Sequence, residues 1–169
     1  MEKQRIFEDH HPAVLEEHSI SLLKGIDFCV FDLETTGGNH NHDKIIEIGL
    51  IKIQNLKIIK KKHFLINPEI KIPDFIQKLT SISQSDVESC PKIHEVIQDI
   101  LDFMGNSVLV AHNTSFDVPF FNSVLRRLNL PERKNRSICT NLMTKNRNDT
   151  DIKEKFNGNK DLVVASPDV

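Results

Sequence analysis

The chain has 169 residues, a formal net charge of -2, 38% hydrophobic residues and 27% charged ones. That is the size and make-up of one domain with a real core; it excludes a disordered chain, and the near-neutral balance excludes nucleic-acid binding by overall charge, leaving only local basic patches for it. No apolar run nears the roughly 20 residues of a membrane span, residues 1–20 lack a signal-peptide core, and Cys29, Cys90 and Cys139 without C-x-x-C spacing read as free thiols, so no membrane partner and a cytoplasmic location are expected.

In chain order, residues 1–24 read as a polar lead-in with a short helix through Val14–His18. A strand begins at Asp27. Alternation puts Phe28, Val30, Asp32 and Glu34 on one face and Cys29, Phe31 and Leu33 on the other. Both faces are mostly apolar, which predicts a strand buried on two sides. "KIIEIGLIKI" (44–53) and "LKIIKKKHFLI" (56–66) follow as antiparallel strands with a turn at Gln54-Asn55. Residues 74–90 hold short helical or irregular pieces.

"PKIHEVIQDILDFMGN" (91–106) has its apolar residues at helical spacing, with Pro91 in the first turn and Gly105 at the stop. "SVLVAH" (107–112) is a strand, and "SFDVPFFNSVLRRLNL" (115–130) is a second helix. The order β-β-β-α-β-α predicts a three-layer α/β arrangement over residues 25–145. Residues 146–169 show no sustained period and read as a divergent tail.

Asp32 and Glu34, two residues apart, point the same way at the end of an apolar run. Such carboxylates repel each other and lose hydration, and a bound cation relieves both costs. Mg²⁺ takes one or two carboxylates and fills its shell with water and phosphate. The plainer alternative is a strand simply leaving into solvent, with Gly37-Gly38 as a turn. Asp117 has two readings as well. It falls in a helical first turn, where an acid is favoured, and Thr114-Ser115-Phe116-Asp117 matches a T-x-x-D capping box. His112 and Asn113, at the end of a strand, are equally ambiguous.

Taken together, "FDLETTG" (31–37) resembles the first motif of the DEDD, or DnaQ-like, 3′→5′ exonuclease superfamily, and "AHNTSFDVPF" (111–120) resembles the second. "IIEIGLIKI" and "LTSIS" (79–83) stand between them in the matching order. The likeness covers about residues 26–145 and is nearest to exonucleases similar to the epsilon proofreading subunit of bacterial DNA polymerase III. It implies an RNase H-like three-layer α/β/α fold with a mixed central sheet. It implies two Mg²⁺ or Mn²⁺ ions held by Asp32, Glu34 and Asp117 as catalytic residues. It also implies that Thr35, Thr36, His112 and Asn113 lie about the terminal nucleotide of a single-stranded DNA or RNA 3′ end, with a DNA polymerase subunit as a possible partner. Phe116 is expected in the core.

The superfamily's third motif is His-x-x-x-x-Asp or Tyr-x-x-x-Asp. This chain has no Tyr and no His after His112. Asp161 is a weak candidate for the missing acid, and His40 and His42 are weak candidates for the missing base; solvated loop histidines are the simpler reading. The expected result is an incomplete, truncated or divergent C-terminal part, an exposed apolar sheet face and impaired turnover. Lys60-Lys61-Lys62 are expected to guard a sheet edge, and Arg126, Arg127, Arg133, Lys134 and Arg136 to complement a helix end; either set could hold a phosphate backbone. Two alternatives stand beside the exonuclease: a catalytically dead nucleic-acid-binding or polymerase-docking module, and a non-functional truncated product.

Overall fold

The computed structural model describes residues 20–145. The helix expected at Val14–His18, the tail from residue 146 and Asp161 lie outside them.

The described residues form strands β1 (Phe28–Thr35), β2 (Ile45–Gln54), β3 (Lys57–Leu65), β4 (Val108–Ala111) and β5 (Ser137–Cys139). The helices are α1 (Asp74–Thr80), α2 (Gln84–Val87), α3 (Ile93–Met104), α4 (Thr114–Arg127) and α5 (Thr140–Lys145). The strands make one mixed sheet in the order β3-β2-β1-β4-β5. β2 runs antiparallel to both β1 and β3, while β4 runs parallel to both β1 and β5. The α/β class and the mixed sheet are those expected. β5 was not anticipated, because three residues are too few to show a period.

The ends of the elements follow local chemistry. Gln54 stays in the β2–β3 ladder opposite Lys57, and its amide donates to Asp27 Oδ2 at 2.7 Å. The turn therefore falls one residue later than expected, at Asn55-Leu56, both with positive φ (48° and 61°), as a two-residue hairpin demands. Lys92 caps α3, and its backbone N–H donates to the Glu95 carboxylate at 2.7 Å. Pro91 thus stands before the helix rather than in its first turn; its carbonyl accepts the Asn67 N–H instead. Gly105, with φ 51°, ends α3 as expected. Lys52 reaches across from β2 and donates to the carbonyls of Phe103 and Met104 at 3.2 and 3.1 Å. α4 stops at Arg127, short of residue 130, where Asn129 turns left-handed at φ 56°.

One face of the sheet is backed by helices. Cys29, Phe31 and Leu33 of β1 and Ile48 and Leu50 of β2 pack on Val96, Ile97 and Ile100 of α3 and Phe120, Phe121, Val124 and Leu125 of α4. A second cluster joins Ile46 to Ile72, Ile76, Ile82 and Val87 beside α1 and α2. Ile46 is the extra residue of a bulge: the pairing jumps from Glu34 opposite Glu47 to Thr35 opposite Ile45.

β1 is not buried on two sides, contrary to expectation. Phe28 and Val30 are only half-buried, Asp32 is exposed, and no residue of their face joins either buried cluster. The reason is that both long helices lie on the other face. Lys60 and Lys62 of β3 lean toward the helices: Lys60 lies over the Phe103 ring, and Lys62 pairs with Asp99 of α3 at 3.2 Å. The edge strand β3 does carry the lysine run.

Candidate active site

Asp32 and Glu34 stand on the open face at the C-terminal end of β1. Their cross-strand neighbours are Gly49 and Glu47. A side chain at Gly49 would meet nothing within 4 Å, so the floor beside Asp32 is clear. β4 runs parallel to β1, and its end delivers His112 and then α4 to the same end of the sheet.

Asp117 lies in the first turn of α4 and is only 4% exposed. The capping box expected for it does not form. Asn113 is the capping residue, no side chain caps the helix, and Asp117 is one position too far along. Asn113 instead accepts the Ser115 hydroxyl at 2.6 Å. A buried acid with no capping duty needs another explanation.

Electrostatics ties the acids together. Burial, then the charge of Asp32, pushes the Asp117 carboxyl up to about 7. The protein packed around its base raises Asp32 although its surface is open, and Glu47 adds to the rise. Burial and the charges of Asp32 and Glu47 raise Glu34. The Leu33 backbone amide offsets part of the shift for both Asp32 and Asp117, and His112 offsets part for Asp32. All three carboxyls are thus harder to ionise than an ordinary acid, because like charges share a place that water only partly reaches. Among the described residues, no Lys, Arg or His makes an ion pair with any of them.

A divalent cation is the counter-charge that such a set invites. No three His, Cys, Asp or Glu side chains among the described residues are gathered into a ready-made cage. The donors nonetheless fit a hard ion that takes one or two carboxylates and keeps several waters.

The other expected site residues have their own local duties. The Thr35 hydroxyl donates to the Gly37 carbonyl at 2.8 Å, and the Thr36 hydroxyl donates to Asp43 at 3.1 Å while accepting the Lys44 N–H. Asp43 also accepts the Asn39 N–H, closing the loop that follows β1. A Cβ on Gly37 would sit 2.5 Å from the Asp43 carboxylate, so only glycine allows this closure. Ser123 of α4 donates to the His40 carbonyl and Arg127 to the Asp43 carbonyl, which fastens the loop to the helix carrying Asp117. His112 is exposed, with Nδ1 3.2 Å from the Thr140 hydroxyl. Phe116 packs against the core beside Phe120, as expected.

Neither His40 nor His42 contributes to the shifts of the three acids; His112 is the histidine that does. Sequence reasoning missed Glu47, whose carboxylate acts on both Asp32 and Glu34 and contacts His63 of β3. An acid inside the apolar run "IIEIG" was the signal.

Residues 29–159 match the family pattern described as "Exonuclease". The chain is 46% identical over 123 residues to a PolC-type DNA polymerase III of Caldanaerobacter subterraneus, covering 73% of this chain and 9% of that protein. It is 39% identical over 113 residues to the 3′-5′ exonuclease DinG of Staphylococcus aureus, covering 67% of this chain and 13% of that protein. It therefore spans only about a tenth of these curated relatives. Among solved structures, exonuclease X in complex with 5′ overhanging duplex DNA superposes with a TM-score of 0.53 at 28% identity, over 67% of this chain and 59% of the other. Apo exonuclease I superposes with a TM-score of 0.64 over 70% of this chain and 30% of the other; at 14% identity this likeness shows the fold alone.

Proposed function

The chain belongs to the exonuclease family, of the DEDD type with an RNase H-like fold, and on that premise we propose that it removes nucleotides from nucleic-acid 3′ ends using Asp32, Glu34 and Asp117. The observation that carries this reading is that buried Asp117 of α4 feels the charges of Asp32 and Glu34 of β1, while no Lys, Arg or His among the described residues pairs with any of the three.

Divalent ions serve the family as cofactors. We assign Mg²⁺ or Mn²⁺ to Asp32, Glu34 and Asp117; bound there, the ions would supply an activated water and charge stabilisation at the leaving oxygen. The chain's own residues do the rest. Asp32 and Glu34 present oxygens on one open face, and Gly49 leaves room beside them for a phosphate. Asp117 is held by α4 and needs a positive partner to ionise fully near neutral pH. The loop closed by Thr36 and Asp43 follows β1 and would border the bound strand. In this reading His112 and Asn113, exposed after β4, would meet the terminal nucleotide, and Thr35 and Thr36 would brace the backbone after β1.

The substrate in this reading is a single-stranded DNA or RNA 3′ end, in the cytoplasm, with a polymerase as a possible neighbour. None of the described helices is long and apolar enough to cross a membrane. The chain holds no Tyr and no His beyond His112, so the 169 residues alone are expected to turn over slowly. A missing general base lowers a rate by about 10²–10⁴-fold. The same absence favours the second reading, a nucleic-acid-binding module without turnover.

Degradation of a 5′-labelled single-stranded DNA with Mn²⁺, run beside Asp32→Ala/Glu34→Ala protein, separates them. Slow shortening from the 3′ end, lost in the double variant, is the expected result. Salt-sensitive binding with no shortening supports the second reading and ends the first for this chain.

A further inference from the structure

We propose that a cavity on the helix side of the sheet is a docking pocket for an acidic peptide segment that inserts one apolar side chain. The cavity, about 190 Å³, lies between the start of β2, the chain leaving β3, the first turn of α3 and the last turn of α4. Half-buried Ile93 and Leu128 give it apolar surface, over a floor of buried Ile45, Ile66 and Val124. Lys44, His94 and Arg127 stand among its polar lining.

Size argues for a side chain rather than a whole small molecule. Sites for drug-sized ligands run to roughly 300–1,000 Å³, whereas one buried anchor is the usual centre of a peptide contact. Charge argues for acidic flanks. The one acid of the lining, Glu69, is already paired with Lys92. Arg127 uses one N–H on the Asp43 carbonyl, which leaves others of its five to give. The cavity's uncompensated charge is therefore positive, and carboxylates complement it.

Position argues for a protein partner rather than the reacting strand. Ile45 and Val124 belong to the helix-backed core, while Asp32 and Glu34 stand on the other face. An occupant would leave the carboxylates clear. It would still touch the segment behind them, since Ile45 pairs with Thr35 and Arg127 holds the Asp43 carbonyl. The proposal does not depend on whether the chain turns over nucleic acid.

The test is an amide-shift titration of the ¹⁵N-labelled 169-residue chain at low salt with the capped peptide Ac-Glu-Glu-Leu-Glu-Glu-NH₂. Ac-Lys-Lys-Leu-Lys-Lys-NH₂, Ac-Glu-Glu-Ala-Glu-Glu-NH₂ and a short oligothymidylate run beside it. The expected result is saturable shifts at Ile45, Ile66, His94 and Arg127, at roughly fivefold lower concentration for the acidic leucine peptide than for either control peptide. Lys44→Glu/His94→Glu protein, with a spectrum otherwise unchanged, should lose the response. No shift at these amides at the highest peptide concentration overturns the proposal. An equal response to the lysine peptide overturns it, and so does preferential occupation of the cavity by the oligothymidylate.

Discussion

The two faces of strand β1 differ in what they ask of their residues. Cys29, Phe31 and Leu33 face the helices and are between 0% and 6% exposed. Phe28, Val30, Asp32 and Glu34 face the other way and stay half-buried or open. Stability is concentrated where α3 and α4 exclude water. The acids occupy the side where water reaches them only in part, and there they are mutually repelling. A strand can carry both because its side chains alternate, so the same eight residues anchor a core and present two acids of the proposed site. The lesson concerns coupling: the helix that covers one face also carries Asp117, whose carboxyl feels the charges of Asp32 and Glu34 on the other.

Four substitutions test that division, taken from the largest effect to the smallest. Phe31→Ala should cost about 3–5 kcal/mol in chemical denaturation, because it empties the centre of the helix-backed core. Phe28→Ala, three residues earlier on the open face, should cost well under half as much. Equal losses would mean that the open face is covered as firmly as the other.

Asp117→Asn tests the opposite sign on the acidic side. Folded Asp117 keeps its proton up to about pH 7, against an ordinary value of 3.8. Between those values the folded state holds a proton that the unfolded state has lost, so raising the pH removes stability. Asp32 and Glu34 are shifted the same way. Metal-free protein should therefore melt lower at pH 8 than at pH 5, and Asp117→Asn should recover roughly 2–8 °C at pH 8 with little change at pH 4. Mn²⁺ should stabilise the parent chain more at pH 8 than at pH 5 and stabilise the variant less. A parent melting curve that rises with pH, while the variant follows it, would remove Asp117 from the site.

Gly49→Ala is the smallest test. Its Cβ meets nothing within 4 Å, so thermal stability should move by less than about 0.5 kcal/mol. If Gly49 keeps a floor clear beside Asp32, any effect should appear in nucleic-acid binding, read by a salt-dependent titration, and not in the melt.

Much of this was legible in advance. The strands and the two long helices follow from apolar spacing, which is a property of near neighbours. The family likeness rests on two short motifs and their order. Asp117 was not decidable from sequence, because a capping acid and a site acid both belong in a helical first turn; its burial and the position of Asn113 settle the cap. Glu47 was overlooked because its closeness to Glu34 depends on register across two strands, beside a bulge that no local pattern announces.

By itself, then, the sequence determined the alternation that sends Asp32 and Glu34 opposite to Phe31 and Leu33, since neighbouring peptide units set which way a side chain points. Only the tertiary structure decided that one face is backed by helices and the other half-open, and that Asp117, Glu47 and His112 share a field with the first two acids. Desolvation and charge repulsion act through space, and the distances that govern them exist only once the strands have paired and α4 has packed.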